Sequence, residues 1–164
     1  MNYRIAIVNS SSFGKHFPEH VHRLEKIGSV ERVRVGGDAH GAELADDLQD
    51  FNIVISSVTP FFDKEFFNCK KDLLLLSRHG IGFNNVDVEA ASQAGTLVTT
   101  VSPEVERNAV AEGAVALLLD SMRRVSDSRN AANDGRWAER ASFLGSGISG
   151  KTLGIIGCGN IGTR

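Results

Sequence analysis

Short apolar runs alternate with amphipathic stretches along this chain. Tyr3 to Val8 reads as a buried strand closed by the polar turn Asn9 to Ser12. Pro18 to Ile27 carries Val21, Leu24 and Ile27 at three-residue spacing and predicts a helix ending at Gly28. Val30 to Val35 predicts a second strand, and its charges Glu31, Arg32 and Arg34 put it near a sheet edge. Leu44, Ala45 and Leu48 predict a short helix, and Ile53 to Ile55 a fully apolar strand. Asp63 to Cys69 predicts a helix, Leu73 to Leu76 a central strand, Val88 to Ala94 a helix stopped by Gly95, and Leu97 to Val101 another strand. Strands that alternate with helices and are apolar on both faces predict a parallel α/β sheet with right-handed crossovers. Ligands in such sheets sit beyond the carboxyl ends of the strands, which here are Asn9 to Ser12, Ser56 to Thr59 and Arg78 to Asn85.

Beyond residue 101 the pattern changes. Ser102 and Pro103 suit the start of a helix that runs to about Arg124 and is apolar from Ala109 to Leu119 except at Glu112 and Gly113. Such a helix should be covered on most sides, between domains or subunits. Asn133-Asp134-Gly135 predicts a turn, and 136 to 150 an irregular arm with Trp137 and Phe143. Leu153 to Ile156 then reads as a short buried strand running into Gly157-x-Gly159-x-x-Gly162. This is the spacing of a dinucleotide-binding turn: the first glycine turns off the strand, the second admits a pyrophosphate, and the third lets a helix pack closely. The acidic residue expected about 20 residues later falls beyond Arg164. An unpaired apolar strand is an association hazard, so the segment from Trp137 onward is expected to be sheltered by another chain.

Composition narrows the class. The chain has 164 residues, 41% of them apolar, and a net charge of −2 with acidic and basic residues interspersed. That predicts a folded chain with no nucleic acid or membrane partner. The longest uncharged apolar run, Gly113 to Leu119, is too short to span a bilayer. Cys69 and Cys158 form no C-x-x-C motif, and no signal peptide precedes the first strand, so a cytoplasmic location is expected.

Three segments carry a family resemblance. Arg78-His79-Gly80-Ile81-Gly82-Phe83-Asn84-Asn85-Val86-Asp87 resembles the R-x-G-x-G-x-x-N-V-D loop of the D-isomer-specific 2-hydroxyacid dehydrogenases. Asn108 to Glu112 resembles that family's N-x-V-A-E helix start. Gly135-Arg136-Trp137 and Gly150 to Gly157 resemble its G-x-W and G-K-T-L-G-I-I-G lead into the cofactor turn. The resemblance implies a flavodoxin-like substrate domain over residues 1–101. Residues 102–164 would then hold an interdomain helix, an arm and the first strand and glycine turn of an incomplete Rossmann domain. It implies reduction of a 2-keto acid, or oxidation of a D-2-hydroxy acid, with NAD or NADP, in a homodimer. The backbone at Ile81 and Gly82 would hold the substrate carboxylate, with Ile81 also near the nicotinamide. Val110 and Asn108 would border the nicotinamide. Gly157, Gly159, Asn160, Ile161 and Gly162 would form the pyrophosphate turn. The family's catalytic Arg, Glu and His would lie beyond this stretch, so no catalytic residue is assigned here and no turnover is expected. Ser56 stands where relatives acting on phosphoglycerate carry an arginine, which disfavours that substrate, and His79 stands where many relatives carry a small residue. The alternative is a natural non-catalytic remnant that binds a small acid or associates with other chains.

Several residues have plainer readings. His16-Phe17-Pro18-Glu19-His20 matches an H-x-x-E-H zinc string, but Pro18 suits a helix start and leaves His16 outside the helix. Glu112 reads as a buried acid with a structural partner, Cys158 as inert, and His79 as solvated. Phe61, Phe62, Phe66 and Phe67 read as core or cleft edge, and Arg78 as an anchor for its own loop.

Overall fold

The computed structural model describes residues 3–164; Met1 and Asn2, read above as the lead into the first strand, lie outside the described residues. The chain forms two compact units, one ending at Ser102 and the other beginning at Pro103.

The first unit holds five parallel strands, β1 (Tyr3–Val8), β2 (Gly28–Val33), β3 (Ile53–Ser56), β4 (Leu75–Arg78) and β5 (Leu97–Thr100), in the order β2-β1-β3-β4-β5. They are joined by α1 (Glu19–Glu25), α2 (Gly41–Asp47), α3 (Lys64–Cys69) and α4 (Val88–Gln93). The order explains the layering. From β1 the chain steps one way to β2, then returns past β1 and keeps stepping the other way. Right-handed crossovers that reverse direction must switch faces. Val21 and Leu24 of α1 accordingly pack with Ile5, Ile7, Ile53 and Ile55 on one face. The opposite face packs Ala6, Val8, Val54 and Leu76 against Leu44 of α2, Phe66 and Phe67 of α3, and Ala90 and Ala91 of α4. Phe66 stands edge-on to both Phe62 and Phe67, with ring centroids 5.1 Å apart in each pair. All three rings are fully buried, and each contributes about 1.5–3 kcal/mol by leaving water.

Two strands are displaced from the sequence reading. The second strand begins at Gly28, not Val30, because Gly28 lies so close to Tyr3 of β1 that a Cβ would strike its carbonyl. The fourth begins at Leu75 rather than Leu73, and it pairs next to the edge strand β5 while β3 holds the centre. Leu73 is buried ahead of the strand and Leu74 is half exposed, so the four-leucine run marks hydrophobic burial but not pairing. The strand therefore extends through Arg78.

In the second unit, α5 spans Pro103–Arg123 and α6 spans Val125–Asn133. The break falls at Arg124, in the left-handed region at φ +52°. Its guanidinium donates to Asp127 at 2.9 and 3.0 Å and to the Ser142 carbonyl at 2.8 Å, and it lies over the Phe143 ring. Asp120 accepts the Ser126 amide at 2.6 Å and its hydroxyl at 2.7 Å, which secures the start of α6. The arm is less irregular than expected, with a 3₁₀ turn at Trp137–Phe143.

The buried readings of Glu112 and of Leu153 to Ile156 fail in this unit. No residue of α5 is buried, and Glu112, read as a buried acid, is exposed. Leu153 to Ile156 is not a buried strand: it has no ladder partner, and Ile156 is fully exposed. A strand needs a neighbour for its amides and carbonyls, and among the described residues the second unit contains no other strand.

Candidate functional site

The strand ends of the first unit are laced into one layer. Asn9 follows β1 with φ +49°, a left-handed conformation that asparagine tolerates. Its Oδ1 accepts the Val35 amide at 3.1 Å, and its Nδ2 donates to the Thr59 hydroxyl at 3.2 Å. One side chain thus ties the loops after β1, β2 and β3. Ser10 Oγ lies 3.4 Å from Nδ1 of His79, whose ring stands edge-on to Phe13 at 5.2 Å. His79, read above as solvated, is therefore part of the lacing between the loops after β1 and β4.

The loop after β4 is fixed at both ends. At its start the His79 amide donates to the Ser56 carbonyl at 2.8 Å, and the Val101 amide donates to the Gly80 carbonyl at 3.1 Å. Arg78 is buried, and its Nη1 donates to the His79 carbonyl at 2.6 Å, the anchoring role expected of it. Gly80 has φ +152°, and a Cβ there would lie 3.1 Å from the Arg78 guanidinium carbon. At the far end Asn85 Nδ2 donates to the carbonyls of Pro60 at 2.8 Å and Ser57 at 3.3 Å. Phe62 bridges Val86, and Asp87 caps α4 through the Ala90 amide at 2.9 Å.

Between these anchors stand Ile81 and Gly82. Among the described residues their amides donate to no oxygen, and nothing lies within 4 Å of a Cβ built on Gly82. Two free amides on a braced, open loop can receive an anionic group without reorganising. The Ser56 hydroxyl and Arg78 Nε are buried without a partner at paired positions of β3 and β4.

Such a loop, braced beyond the carboxyl ends of parallel strands, invites comparison with known proteins. Residues 6–159 match the model of the D-isomer specific 2-hydroxyacid dehydrogenase catalytic domain. This chain belongs to that family. Among its dehydrogenase relatives, the glyoxylate reductase of Thermococcus litoralis is 30% identical over 155 residues, 90% of this chain and 46% of that protein. The D-3-phosphoglycerate dehydrogenase of Archaeoglobus fulgidus is 30% identical over 144 residues, 88% of this chain and 27% of that protein. The crystal structure of an NADPH-dependent glyoxylate/hydroxypyruvate reductase from Sinorhizobium meliloti, in complex with NADP and malonate, superposes with a TM-score of 0.74 at 25% identity. That superposition covers 99% of this chain and 48% of the other. The chain thus spans between a quarter and a half of these dehydrogenases.

The remaining candidate residues lie in the second unit. Asn108 lines a groove of about 430 Å³ with Ala111, Glu112, Val115, Ala116, Leu119 and Arg164, which brings the α5 face beside the second residue past the glycine turn. Val110 is outside that lining and part exposed. Gly157 has φ +96°, a conformation open to glycine. A Cβ on Gly159 would meet nothing within 4 Å, whereas one on Gly162 would strike the Gly157 carbonyl. The Thr163 amide and hydroxyl both donate to the Gly159 carbonyl, at 3.2 and 2.9 Å, which closes a turn around Asn160 and Ile161. The turn thus demands glycine at residues 157 and 162 and leaves open space at Gly159. His16 lies outside α1 and His20 within it, and no metal-binding cluster of His, Cys, Asp or Glu occurs among the described residues. No helix is long and apolar enough to cross a membrane among the described residues.

Of the bracing residues, Asn85 is the asparagine of the R-x-G-x-G-x-x-N-V-D loop, whereas Asn9 and Thr59 are marked in the sequence only by their place at strand ends.

Proposed function

We propose that this chain is the N-terminal, substrate-side part of a dehydrogenase that reduces a small 2-keto acid to the D-2-hydroxy acid with NADH or NADPH. The 164 residues alone do not turn over. The free amides of Ile81 and Gly82 carry this reading. They hold the substrate carboxylate, and fixed backbone donors suit that charge because they need no reorganisation. The Ile81 side chain, Asn108 and Val110 border the nicotinamide. Gly157, Gly159, Asn160, Ile161 and Gly162 receive the pyrophosphate, and the open space at Gly159 fits that group. The cofactor supplies the hydride, and a proton completes the reduction. Arg78 and His79 hold the carboxylate loop in place and touch no reacting atom.

The test is a titration with glyoxylate, following backbone amide resonances. Saturable shifts centred on Ile81 and Gly82 are expected, and they should vanish in Gly82→Pro, which removes one donor. Glyoxylate should leave NADH and NADPH absorbance at 340 nm unchanged in the presence of this chain. Shifts confined to other loops, or none at all, would remove the assignment of the carboxylate site. Consumption of NADH or NADPH would overturn the claim that the segment lacks turnover.

A further inference from the structure

We propose a second anion site, for a phosphomonoester group, in a cleft between the carboxyl ends of β1 and β2. The cleft has a volume of about 660 Å³ and is lined by Ile7, Asn9, Ser10, Ser11, Lys15, Arg32, Val33 and Arg34. Three of these residues are cations and none is acidic, in a chain whose net charge is −2. Positive charge is therefore concentrated here against the balance of the molecule.

The cleft is assembled rather than incidental. Ser12 to Lys15 form a turn, with the Lys15 amide donating to the Ser12 carbonyl at 3.0 Å. Gly14 stands in it at φ +69°, packed against Val21 so closely that no side chain fits. Arg32 reaches across from β2 and donates to the carbonyls of Ser10 at 3.2 Å and Phe13 at 2.5 Å. This guanidinium pins the serine loop against β2 and keeps its own positive charge, because its partners are neutral carbonyls. Lys15, Arg34 and the Ser11 hydroxyl have no hydrogen-bond or ion-pair partner among the described residues. The donors come from three segments: the turn, β2 and the residues just after β2. A tetrahedral dianion accepts bonds from several directions at once, whereas a carboxylate accepts within one plane. The apolar floor of Ile7 and Val33 suits the carbon part of an ester.

The site shares no residue with Ile81 and Gly82 and belongs to different loops. It stands or falls independently of the dehydrogenase reading.

The experiment is an amide-resonance titration of the chain with inorganic phosphate, glycerol phosphate and malonate, at about 0.1 M ionic strength held constant with chloride. Phosphate and glycerol phosphate should each give saturable shifts at residues 9–15 and 33–35. The double variant Lys15→Gln/Arg34→Gln should weaken both at least about tenfold, or ~1.4 kcal/mol. Neither side chain has a partner to lose, so the spectrum outside the cleft should be unchanged. Arg23→Gln, whose charge lies outside the cleft, should bind as the parent does. Absence of saturable shifts, shifts confined to other loops, or equal affinity in the double variant would each overturn the site. Malonate binding as tightly as phosphate would overturn the phosphate class.

Discussion

Gly80 and Gly82 stand two residues apart in one loop, and the structure predicts opposite consequences of replacing them with alanine. At Gly80 the backbone has φ +152°, and an added Cβ would lie 2.5 Å from Arg78 Nη1 and 3.1 Å from its Cζ. Holding a non-glycine residue in that region costs about 1–3 kcal/mol. The guanidinium must also yield. Its Nη1 donates to the His79 carbonyl, and a hydrogen bond to a charged group contributes about 1.5–3 kcal/mol. Arg78 is 7% exposed, so a displaced guanidinium finds little water nearby. Partial loss of that bond added to the backbone strain gives about 2–4 kcal/mol. Gly82→Ala meets nothing within 4 Å and has no left-handed φ, so its effect should stay within about 0.5 kcal/mol. The assay is native-state hydrogen exchange at Val54 and Leu76, whose strands sit in the core of the first unit. Gly80→Ala should raise exchange there roughly 30- to 1,000-fold, since about 1.4 kcal/mol is tenfold. A double-mutant cycle isolates the cause: in an Arg78→Ala background Gly80→Ala should cost only the backbone strain, a coupling of at least about 1 kcal/mol. Equal costs for the two glycines, or zero coupling, would show that Arg78 does not brace the loop as argued.

Two further predictions follow from the packing and the second unit. Phe66→Ala removes the middle ring of the three-phenylalanine cluster and should lower first-unit stability by about 3–5 kcal/mol, read from the urea midpoint. Asp120 has its carboxyl held below the ordinary carboxylate value, first by the Ser126 hydroxyl, then by the Ser126 amide. A lowered folded-state pKa gives stability that is present above the unfolded value and is lost as pH falls through the folded one. Acid should therefore loosen the start of α6, and Ser126→Ala should move the Asp120 titration upward, seen by carboxyl-carbon NMR; an unmoved titration would remove Ser126 as the cause.

The sheet was legible because burial and period agree. Ile53 to Ile55 is apolar, buried and paired, as its unbroken apolar run implies. The four leucines at 73 to 76 show where that logic stops. Burial drives Leu73 and Leu76 inward, but pairing is set by the neighbours β3 and β5, which carry the ladder on to Arg78. Leu153 to Ile156 makes the same point more strongly. Its residues have strand propensity, yet strand is a property of a pair, and among the described residues none offers it an edge. The glycine turn that follows keeps its local shape, because φ at Gly157 and the close approach of Gly162 to the Gly157 carbonyl are satisfied within residues 157–162. Site chemistry divides along that line. The loop after β4 announced itself through glycines with local conformational demands. The residues that brace it, Asn9 with Thr59 and Ser10 with His79, lie 50 and 69 positions apart and become partners only after β1, β3 and β4 align. The cationic cleft was hidden for the same reason. Arg32 and Arg34 read as edge-strand charges, and only the crossover that returns β2 beside β1 sets them against the serine loop and Lys15. A motif can therefore name a loop whose shape its glycines fix, while the charge that surrounds it is a property of the strand order.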